Sequence, residues 1–177
     1  MLDDPRPSKQ LPSIELAILS DRVLEALIAG SIDRASDAFG QPLPPFLLED
    51  TWLWNYRFDQ LRADPATGPW LVRVVIDANT GEIVGHAGFH GPPDESGMVE
   101  VGYTIHPDYR RRGYATAALG ALISYACNDS RARTVRASVS PDNVASLKTI
   151  AAYGFVQVGE QMDEVDGLEL IFERPVR

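Results

Sequence analysis

One helix-length apolar stripe between two strand-like segments restricts the fold more than any other feature. The stripe repeats at i, i+3, i+4, i+7, i+8 and i+11, on Ala115, Ala118, Leu119, Leu122, Ile123 and Ala126. This spacing predicts a helix with one buried face, which must pack on a sheet. The flanking segments, "MVEVGYTIHP" at 98–107 and "TVRASVS" at 134–140, alternate as strands. Because a helix joins them, we predict parallel strands in one βαβ unit with a right-handed crossover.

Hairpin patterns account for the other predicted strands. Strand-like runs lie at 13–19, 70–76, 83–90, 155–161 and 168–174, with a turn at Gly81 between the second and third. Further helices are predicted from Asp21 to about Ala29, capped by Ser20, and over 51–61 and 141–154. Residues 1–12 are predicted to be a loose arm and residues 13–177 a single domain. The sequence therefore predicts an α/β fold with a mixed, mostly antiparallel sheet flanked by helices.

Composition argues against several classes of protein. At 177 residues, with 45% hydrophobic and 23% charged residues, the chain matches one soluble globular domain. A net charge of −9 disfavours nucleic acid as a partner. The single cysteine, Cys127, cannot form an internal disulfide, and one cysteine with three histidines is too few for a zinc cluster. We expect a cytoplasmic protein with no bound metal and, since no long apolar run or signal-peptide pattern is present, no membrane insertion.

Three arginines precede the crossover helix, where acidic residues are normally favoured. The N-terminus of a helix carries about half a positive charge, so Arg110, Arg111 and Arg112 oppose it unless an anion binds there. Loops that leave a strand and enter a helix are where α/β sheets bind phosphates. Gly113 permits close backbone approach, and the small Ala115 keeps the first turn open. We predict a pyrophosphate site; the alternative is a solvated basic loop.

The same residues carry a resemblance to a known family. The stretch "RRRGYA" at 110–115 matches the Arg/Gln-x-x-Gly-x-Gly/Ala acyl-CoA motif of the GNAT superfamily of N-acetyltransferases, whose element order this chain resembles from Ser13 onward. The stretches "VEVGYTIHPDYRRRGYATAA" and "NVASLKTIAAYGF" are similar to the branch that contains the ribosomal-protein N-terminal acetyltransferases. That branch reads N-x-x-S and then an apolar helix to Gly-Phe, which this chain matches with Asn143, Ser146, Gly154 and Phe155.

The resemblance implies that acetyl-CoA is the co-substrate, bound where the two predicted parallel strands splay apart. It implies that backbone groups of 103–106 bind pantetheine, that amides of 111–116 bind pyrophosphate, and that Arg110 and Arg111 contact phosphate oxygens. Asn143 binds the pantetheine arm, caps its helix, or does both. The implied coenzyme-binding residues are Tyr103, Thr104, Ile105, His106, Arg110, Arg111, Arg112, Gly113, Tyr114, Ala115, Thr116 and Asn143.

Two residues are candidates for catalysis. Acetyl transfer to an amine requires a group that removes the amine's proton and a group that supplies one to the leaving thiolate. Glu100 shares a polar strand face with Gly102 and Thr104, and the resemblance favours it as the base, acting through water; a solvated strand residue is the alternative. Ser146, three residues after Asn143 in a helix's first turn, is the candidate that assists the thiolate, the alternative being ordinary helix-terminal polarity.

Other reactive or aromatic residues have structural roles as their first interpretation. Cys127 lies in the crossover helix and is predicted to be a packing residue. His86 and His90 share one face of their strand, where a satisfied structural histidine is the more common outcome. Tyr153 is predicted to lie in the core. The aromatic run at 52–58 either walls the acceptor pocket or packs in the core.

The sequence thus predicts an acetyl-CoA-dependent N-acetyltransferase that acts directly on a primary amine. The acidic net charge favours a cationic acceptor, such as a basic peptide N-terminus, a polyamine or an aminoglycoside. An acyl-CoA-binding regulatory module without turnover is the alternative from another class, and a purely structural role is a third. The resemblance also implies that a homodimer can form.

Overall fold

A mixed sheet lies at the centre of the structure, a computed structural model that describes residues 10–164 and 167–176. Its seven strands, within those ranges, follow the order β1-β2-β3-β4-β5-β7-β6. The strands are β1 (Ile14–Ile18), β2 (Arg73–Asp77), β3 (Ile83–Phe89), β4 (Met98–Ile105), β5 (Thr134–Val139), β6 (Val156–Asp163) and β7 (Gly167–Pro175). The helices are α1 (Asp21–Ile28), α2 (Ile32–Phe39), α3 (Thr51–Ala63), α4 (Tyr114–Cys127) and α5 (Val144–Ala151).

The pairing of the strands confirms the predicted fold class. Among the described strands, five neighbouring pairs are antiparallel and one, β4 with β5, is parallel. Helix α4 connects this parallel pair, because parallel strands need a crossover rather than a hairpin. The apolar stripe therefore does what its spacing predicts: it forms one βαβ unit within a mostly antiparallel sheet.

Helices cover both faces of the sheet and bury its apolar residues. On one face, Leu122 of α4 and Ile150 of α5 pack in a core that includes Val101 of β4. On the other face, Leu27 of α1 and Trp54 of α3 belong to a second core. Successive residues of a strand point to opposite faces, so side chains next to Val101 on β4 point to the side of the second core.

Helix α2 is absent from the sequence-based prediction. Gly30 has a φ of +70°, which lets the chain reverse after α1, and Ser31 then caps α2 by accepting from the Arg34 N–H. Ala35 is the buried residue of this fully described helix. Ile32 and Phe39, spaced to share a face with Ala35, pack against the second core, so this short helix carries an apolar stripe that the sequence-based prediction missed.

Two segment boundaries also differ from expectation. Strand β2 begins at Arg73, because Pro65–Trp70 forms a 3-10 turn. Residues 1–9 of the predicted arm lie outside the described residues, whereas Leu11 and Pro12 are ordered against the loop before α4.

No helix in the described part of the chain combines the length and apolarity that crossing a bilayer requires. The described side chains likewise include no group of three or more His, Cys, Asp or Glu residues arranged to hold a metal.

Candidate active site

A cleft opens in the sheet where β4 and β5 stop pairing. Their parallel ladder ends at the pair Glu100 and Arg136, although β4 continues to Ile105 and β5 to Val139. On its other side, β4 stays paired with β3 as far as Ile105. The resulting gap between β4 and β5 is the splay that the resemblance implies.

Every second residue of β4 turns its backbone toward this gap. In an antiparallel pair, alternate residues exchange hydrogen bonds with the neighbouring strand. The Glu100 carbonyl accepts from the His90 N–H, and the His106 N–H donates to a carbonyl of β3. Tyr103 is an odd number of residues from both Glu100 and His106, so its backbone groups point away from β3 and toward the gap. The His106 carbonyl also accepts from the Tyr109 N–H, so both backbone groups of His106 already have a partner within the protein.

Two more of the predicted pantetheine contacts are restricted by the same geometry. Thr104 is in step with Glu100 and directs its backbone to the β3 ladder. Ile105 faces the gap, but its carbonyl accepts from the Arg110 Nε at 2.9 Å. Within the predicted stretch 103–106, Tyr103 is therefore the best placed residue for backbone contact with a ligand in the splay.

The loop before α4 contains two residues with a left-handed backbone conformation. Arg111, with a φ of +63°, is the only non-glycine residue in the described ranges that has a positive φ. Gly113 has a φ of +93°. Left-handed residues change the direction in which neighbouring N–H groups point and are one component of anion-binding nests. Helix α4 then begins without a side-chain cap, and its Ala117 N–H bonds back to the Gly113 carbonyl. The N–H groups of 114–116 therefore point out of the helix end, as an anion site requires.

The three arginines surround this loop with exposed positive charge. Arg110 uses its Nε on the strand, which leaves its terminal nitrogens directed outward. The Arg112 guanidinium lies 5.5 Å from the centroid of the Tyr109 ring, a cation–π contact. The first turn of α4, all of it described, contains no acidic residue. The charge of the arginines and that of the helix end therefore add, and a bound anion would offset both.

The Tyr114 side chain is an anchor rather than part of the exposed loop. It is 8% exposed, and its hydroxyl donates to Asp77 Oδ2 at the end of β2. Asp77 Oδ1 accepts from the N–H groups of Asn79 and Thr80, at 2.7 and 3.1 Å. The bond to Asp77 raises the pKa of Tyr114 to about 12, and the same bond is the main cause of the lowered pKa of Asp77. The β2–β3 turn is thereby tied to the first turn of α4, and only the Tyr114 backbone remains available to a ligand.

The space behind Gly113 is occupied by the segment that precedes β1. A Cβ at Gly113 would lie 3.1 Å from Pro12 Cδ and 3.3 Å from Leu11 Cδ2. From sequence, a side chain at this position is expected to crowd the phosphate-facing side of the loop. The structure adds a second cause of crowding, with Leu11 and Pro12, and the left-handed φ itself disfavours a branched side chain here.

Three polar side chains, one just after β3 and one each on β4 and β5, form a row at the vertex of the splay. Ser138 Oγ donates to Glu100 Oε1 at 2.6 Å, and Glu100 Oε2 lies 3.8 Å from His90 Nδ1. Partial desolvation by the surrounding protein lowers the pKa of His90, Glu100 opposes this shift, and Arg57 adds to it. The His90–Glu100–Ser138 row thus places a carboxylate between a hydroxyl donor and a neutral imidazole. Such a row can take up a proton from an amine.

A second polar cluster lies on the opposite face of β4. Tyr103 is an odd number of residues from Glu100, so its side chain packs on the core beneath α4 and α5. Its hydroxyl is 2.8 Å from Ser146 Oγ in the first turn of α5. Asn143 Oδ1 accepts from the Ser146 N–H at 3.0 Å, so the predicted helix cap is formed. Burial raises the pKa of Tyr103, with opposing bonds from Ser146 and Thr149, so the phenol stays protonated and can donate to Ser146.

Three of the residues given structural interpretations have structural partners. His86 is buried, and its Nε2 lies 3.0 Å from Asp50 Oδ2. The Tyr153 hydroxyl donates to the Thr116 carbonyl at 2.8 Å and so links α5 to α4. Cys127 Sγ lies 3.0 Å from a backbone carbonyl near the C-terminus. These contacts confirm the packing roles predicted for the three residues.

The aromatic run of α3 divides between the core and the surface. Trp54 is fully buried and donates its Nε1 to the Leu47 carbonyl. Trp52 and Tyr56 are 70% and 55% exposed. The core interpretation is therefore correct for Trp54, while Trp52 and Tyr56 are free to contact a molecule at the surface.

Arg57, which sequence reasoning missed, supports the row from α3. Its side chain is buried, and its NH1 donates to the His90 carbonyl at 3.1 Å and to Gln60 Oε1 at 2.8 Å. Gln60 Nε2 donates to the same His90 carbonyl at 2.8 Å. An arginine in an amphipathic helix is normally assigned to the solvent face, so no local pattern marks this one as buried.

Comparison with known proteins adds a family to this geometry. Residues 19–156 match the family model described as acetyltransferase (GNAT) domain. The Bacillus subtilis protein named uncharacterized N-acetyltransferase YjdG is 36% identical over 83 residues, 47% of this chain and 49% of that protein. The chain thus spans about half the length of the curated relatives it matches.

Solved structures with low sequence identity share the fold. Mycobacterium smegmatis RimJ in complex with CoA-disulfide has a TM-score of 0.65 at 21% identity, over 92% of this chain and 81% of that chain. The spermidine N-acetyltransferase SpeG chimera from Vibrio cholerae and hSSAT has a TM-score of 0.65 at 13% identity, over 92% of this chain and 95% of that chain.

Proposed function

The chain belongs to the acetyltransferase (GNAT) domain family, and on that premise we propose that it transfers an acetyl group from acetyl-CoA directly to a primary amine. One observation supports this above the others: polar clusters lie on the two opposite faces of β4 at the splay. Amide formation from a thioester needs a proton acceptor near the amine and a proton donor near the sulfur. The two faces supply one of each.

The loop and the splay fit the coenzyme. Acetyl-CoA supplies the activated acetyl group as a thioester. The amides of 111–116 would hold its pyrophosphate, with Arg110 and Arg111 adding charge-assisted bonds to phosphate oxygens. The backbone of Tyr103 would bind the pantetheine arm, and the Asn143 side chain, although engaged as a cap, retains its amide NH₂ for the same arm. Binding would rest mostly on backbone groups, which hold the donor without protein nucleophiles.

Glu100 is the proposed proton acceptor for the amine. An ammonium group must lose a proton before its nitrogen can attack a carbonyl carbon. Ser138 occupies Glu100 Oε1, so Oε2 is the oxygen left to face an acceptor, directly or through one water. The Glu100 side chain is 19% exposed, which keeps it reachable from the cleft.

Ser146 is the proposed donor to the leaving thiolate. It lies in the first turn of α5, where the helix dipole favours developing negative charge. The Tyr103 phenol can donate to Ser146 Oγ, which leaves the serine proton for the sulfur. Tyr103 thus serves as a positioning residue for Ser146.

The proposal also covers the class of acceptor, the cellular location and the oligomeric state. We propose a cationic amine as the acceptor, since the net charge is −9 and the His90–Glu100–Ser138 row contains a carboxylate. A polyamine is one such acceptor, in line with the SpeG chimera's named substrate, spermidine. A cytoplasmic location and a homodimer complete the proposal.

Mass spectrometry tests the activity and the acceptor class together. The protein is incubated with acetyl-CoA and separate panels of basic peptides, polyamines and aminoglycosides, and acetylated products and free thiol are both measured. Product in one panel supports transfer to that class. Thermal stabilisation by CoA with no product in any panel would instead favour a regulatory module that binds acyl-CoA without turnover.

A further inference from the structure

The proposed reaction has a proton left over. An ammonium acceptor and a thioester give an amide and a thiol, so one proton per turnover must leave the cleft. Glu100 can take that proton, but it is mostly buried and must release it before the next cycle. The cleft therefore needs a route from Glu100 to solvent.

His90 lies on that route. Its Nδ1 is 3.8 Å from Glu100 Oε2, and its side chain is 49% exposed, compared with 19% for Glu100. The ring lies over Gly102, where a Cβ would come within 3.2 Å of His90 Nε2, so it is on the same face of β4 as Glu100. One side of the imidazole faces the carboxylate and another reaches water.

The surroundings of His90 hold it in place. Its N–H donates to the Glu100 carbonyl at 2.8 Å, and its own carbonyl accepts from Arg57 and Gln60 of α3. The charged groups that face the ring are Glu100 from β4 and Arg57 from α3. Desolvation of the protein-facing side of this half-exposed ring, together with Arg57, keeps the pKa of His90 below its ordinary value, so near neutral pH the ring is a proton acceptor.

From this geometry we infer that His90 carries the acceptor's proton from Glu100 to solvent, while Ser138 holds Glu100 in position; the inference rests on the proposed function. The ammonium N–H bond breaks as an O–H bond forms on Glu100 Oε2. That proton then moves through one bridging water, as the 3.8 Å separation requires, to Nδ1 of neutral His90, and the imidazolium releases a proton to solvent. Glu100 returns to a carboxylate and His90 to a neutral ring, while the second proton that the nitrogen loses, after its attack on the carbonyl carbon, balances the proton that the thiol takes up.

Steady-state kinetics with chemical rescue tests the relay. His90→Ala should lower kcat by about 10²-fold, the lower end for proton-transfer groups, and added imidazole should restore much of it. Glu100→Gln should respond far less to imidazole, and the wild-type rate should not rise with it. Ser138→Ala should lower kcat without changing CoA affinity, and Ser138→Thr should restore it. Wild-type kcat in His90→Ala, or a loss that imidazole does not restore, would overturn the relay.

A titration that needs no turnover separates this inference from the proposed function. With ¹⁵N-labelled histidine, the His90 signal is identified by its loss in His90→Gln, and its pKa is measured by NMR. Because Glu100 raises the pKa of His90, Glu100→Gln should lower it further. An unchanged pKa would refute the His90–Glu100 pair even in an active enzyme. Absence of transfer in every amine panel, with the expected pKa change present, would refute the proposed function and leave the pair established.

Discussion

Replacing Ser146 by alanine separates chemistry from structure on the thiol side of the cleft. The substitution removes the hydroxyl that lies 2.8 Å from the Tyr103 phenol and leaves the backbone cap from Asn143 in place. Loss of one hydrogen bond of this kind costs about 1 kcal/mol of unfolding free energy. For a chain of this size, that lowers Tm by about 2–4 °C.

The kinetic effect should exceed the effect on stability. Removing one preorganised donor to a developing negative charge lowers kcat by about 10²–10³-fold, and the half-buried position of Ser146 favours the lower value. The assay compares kcat for acetyl-CoA with kcat for an acetyl thioester whose thiol has a lower pKa. A better leaving group needs less help, so Ser146→Ala should lose less activity with the second donor. Tyr103→Phe should lower kcat in the same donor-dependent way but by a smaller factor.

A matched control lies one turn further along the same helix. Thr149 donates its hydroxyl to the Ala145 carbonyl and also approaches Tyr103, but it lies deeper in α5 than Ser146. Thr149→Ala should keep kcat within about twofold while lowering Tm by a similar amount. If Ser146→Ala lowers Tm and leaves kcat intact, or if its kcat loss is the same for both donors, the proposed role of Ser146 is wrong.

Four further results are expected. CoA at a hundredfold excess over its Kd should raise the unfolding free energy by about 2.7 kcal/mol, and no thermal shift at millimolar CoA would exclude the coenzyme site. Glu100→Gln should lower kcat by about 10²–10⁴-fold while its CoA affinity stays within a few-fold of the wild-type value. An unchanged kcat would show that Glu100 is a solvated strand residue without a catalytic role. Gly113→Val should lower both stability and CoA affinity, because of its φ and of Pro12 behind it, and isothermal titration giving wild-type affinity would contradict this. The bond to Asp77 raises the pKa of Tyr114 from 10.0 to about 12, so the unfolding free energy that this bond adds is fully present below pH 10 and is lost as pH rises through 12. Urea unfolding across that pH range should show a smaller loss of unfolding free energy for Tyr114→Phe than for the wild type.

The elements that position the site could be predicted because their signals are local. The stripe that includes Leu119 and Leu122 requires a buried helix, and a single crossover helix between two strands favours a parallel pair. The arginine run marks a helix end with uncompensated charge, and Gly113 marks a turn. None of these inferences depends on which distant segments pack together.

Other parts of the structure had a weak local signal or none. Helix α2 has a short apolar stripe, Ile32, Ala35 and Phe39, within its eight residues, and the prediction missed it. Arg57 is buried because α3 packs beside His90, and Tyr114 is turned inward because Asp77 lies behind α4. In each case the determining partner is remote in the sequence, and a residue's type alone favours exposure or a binding role.

The sequence by itself determined the strands, the crossover helix and the charged, glycine-containing loop, since each depends on spacing and charge among neighbouring residues. Only the tertiary structure decided which side chains meet at the splay. Glu100 and Ser138 are 38 positions apart and Tyr103 and Ser146 are 43, and each pair lies on one particular face of β4. A shift of one residue in strand register would turn every β4 side chain to the opposite face and separate both pairs, so these contacts exist only once the whole sheet has paired.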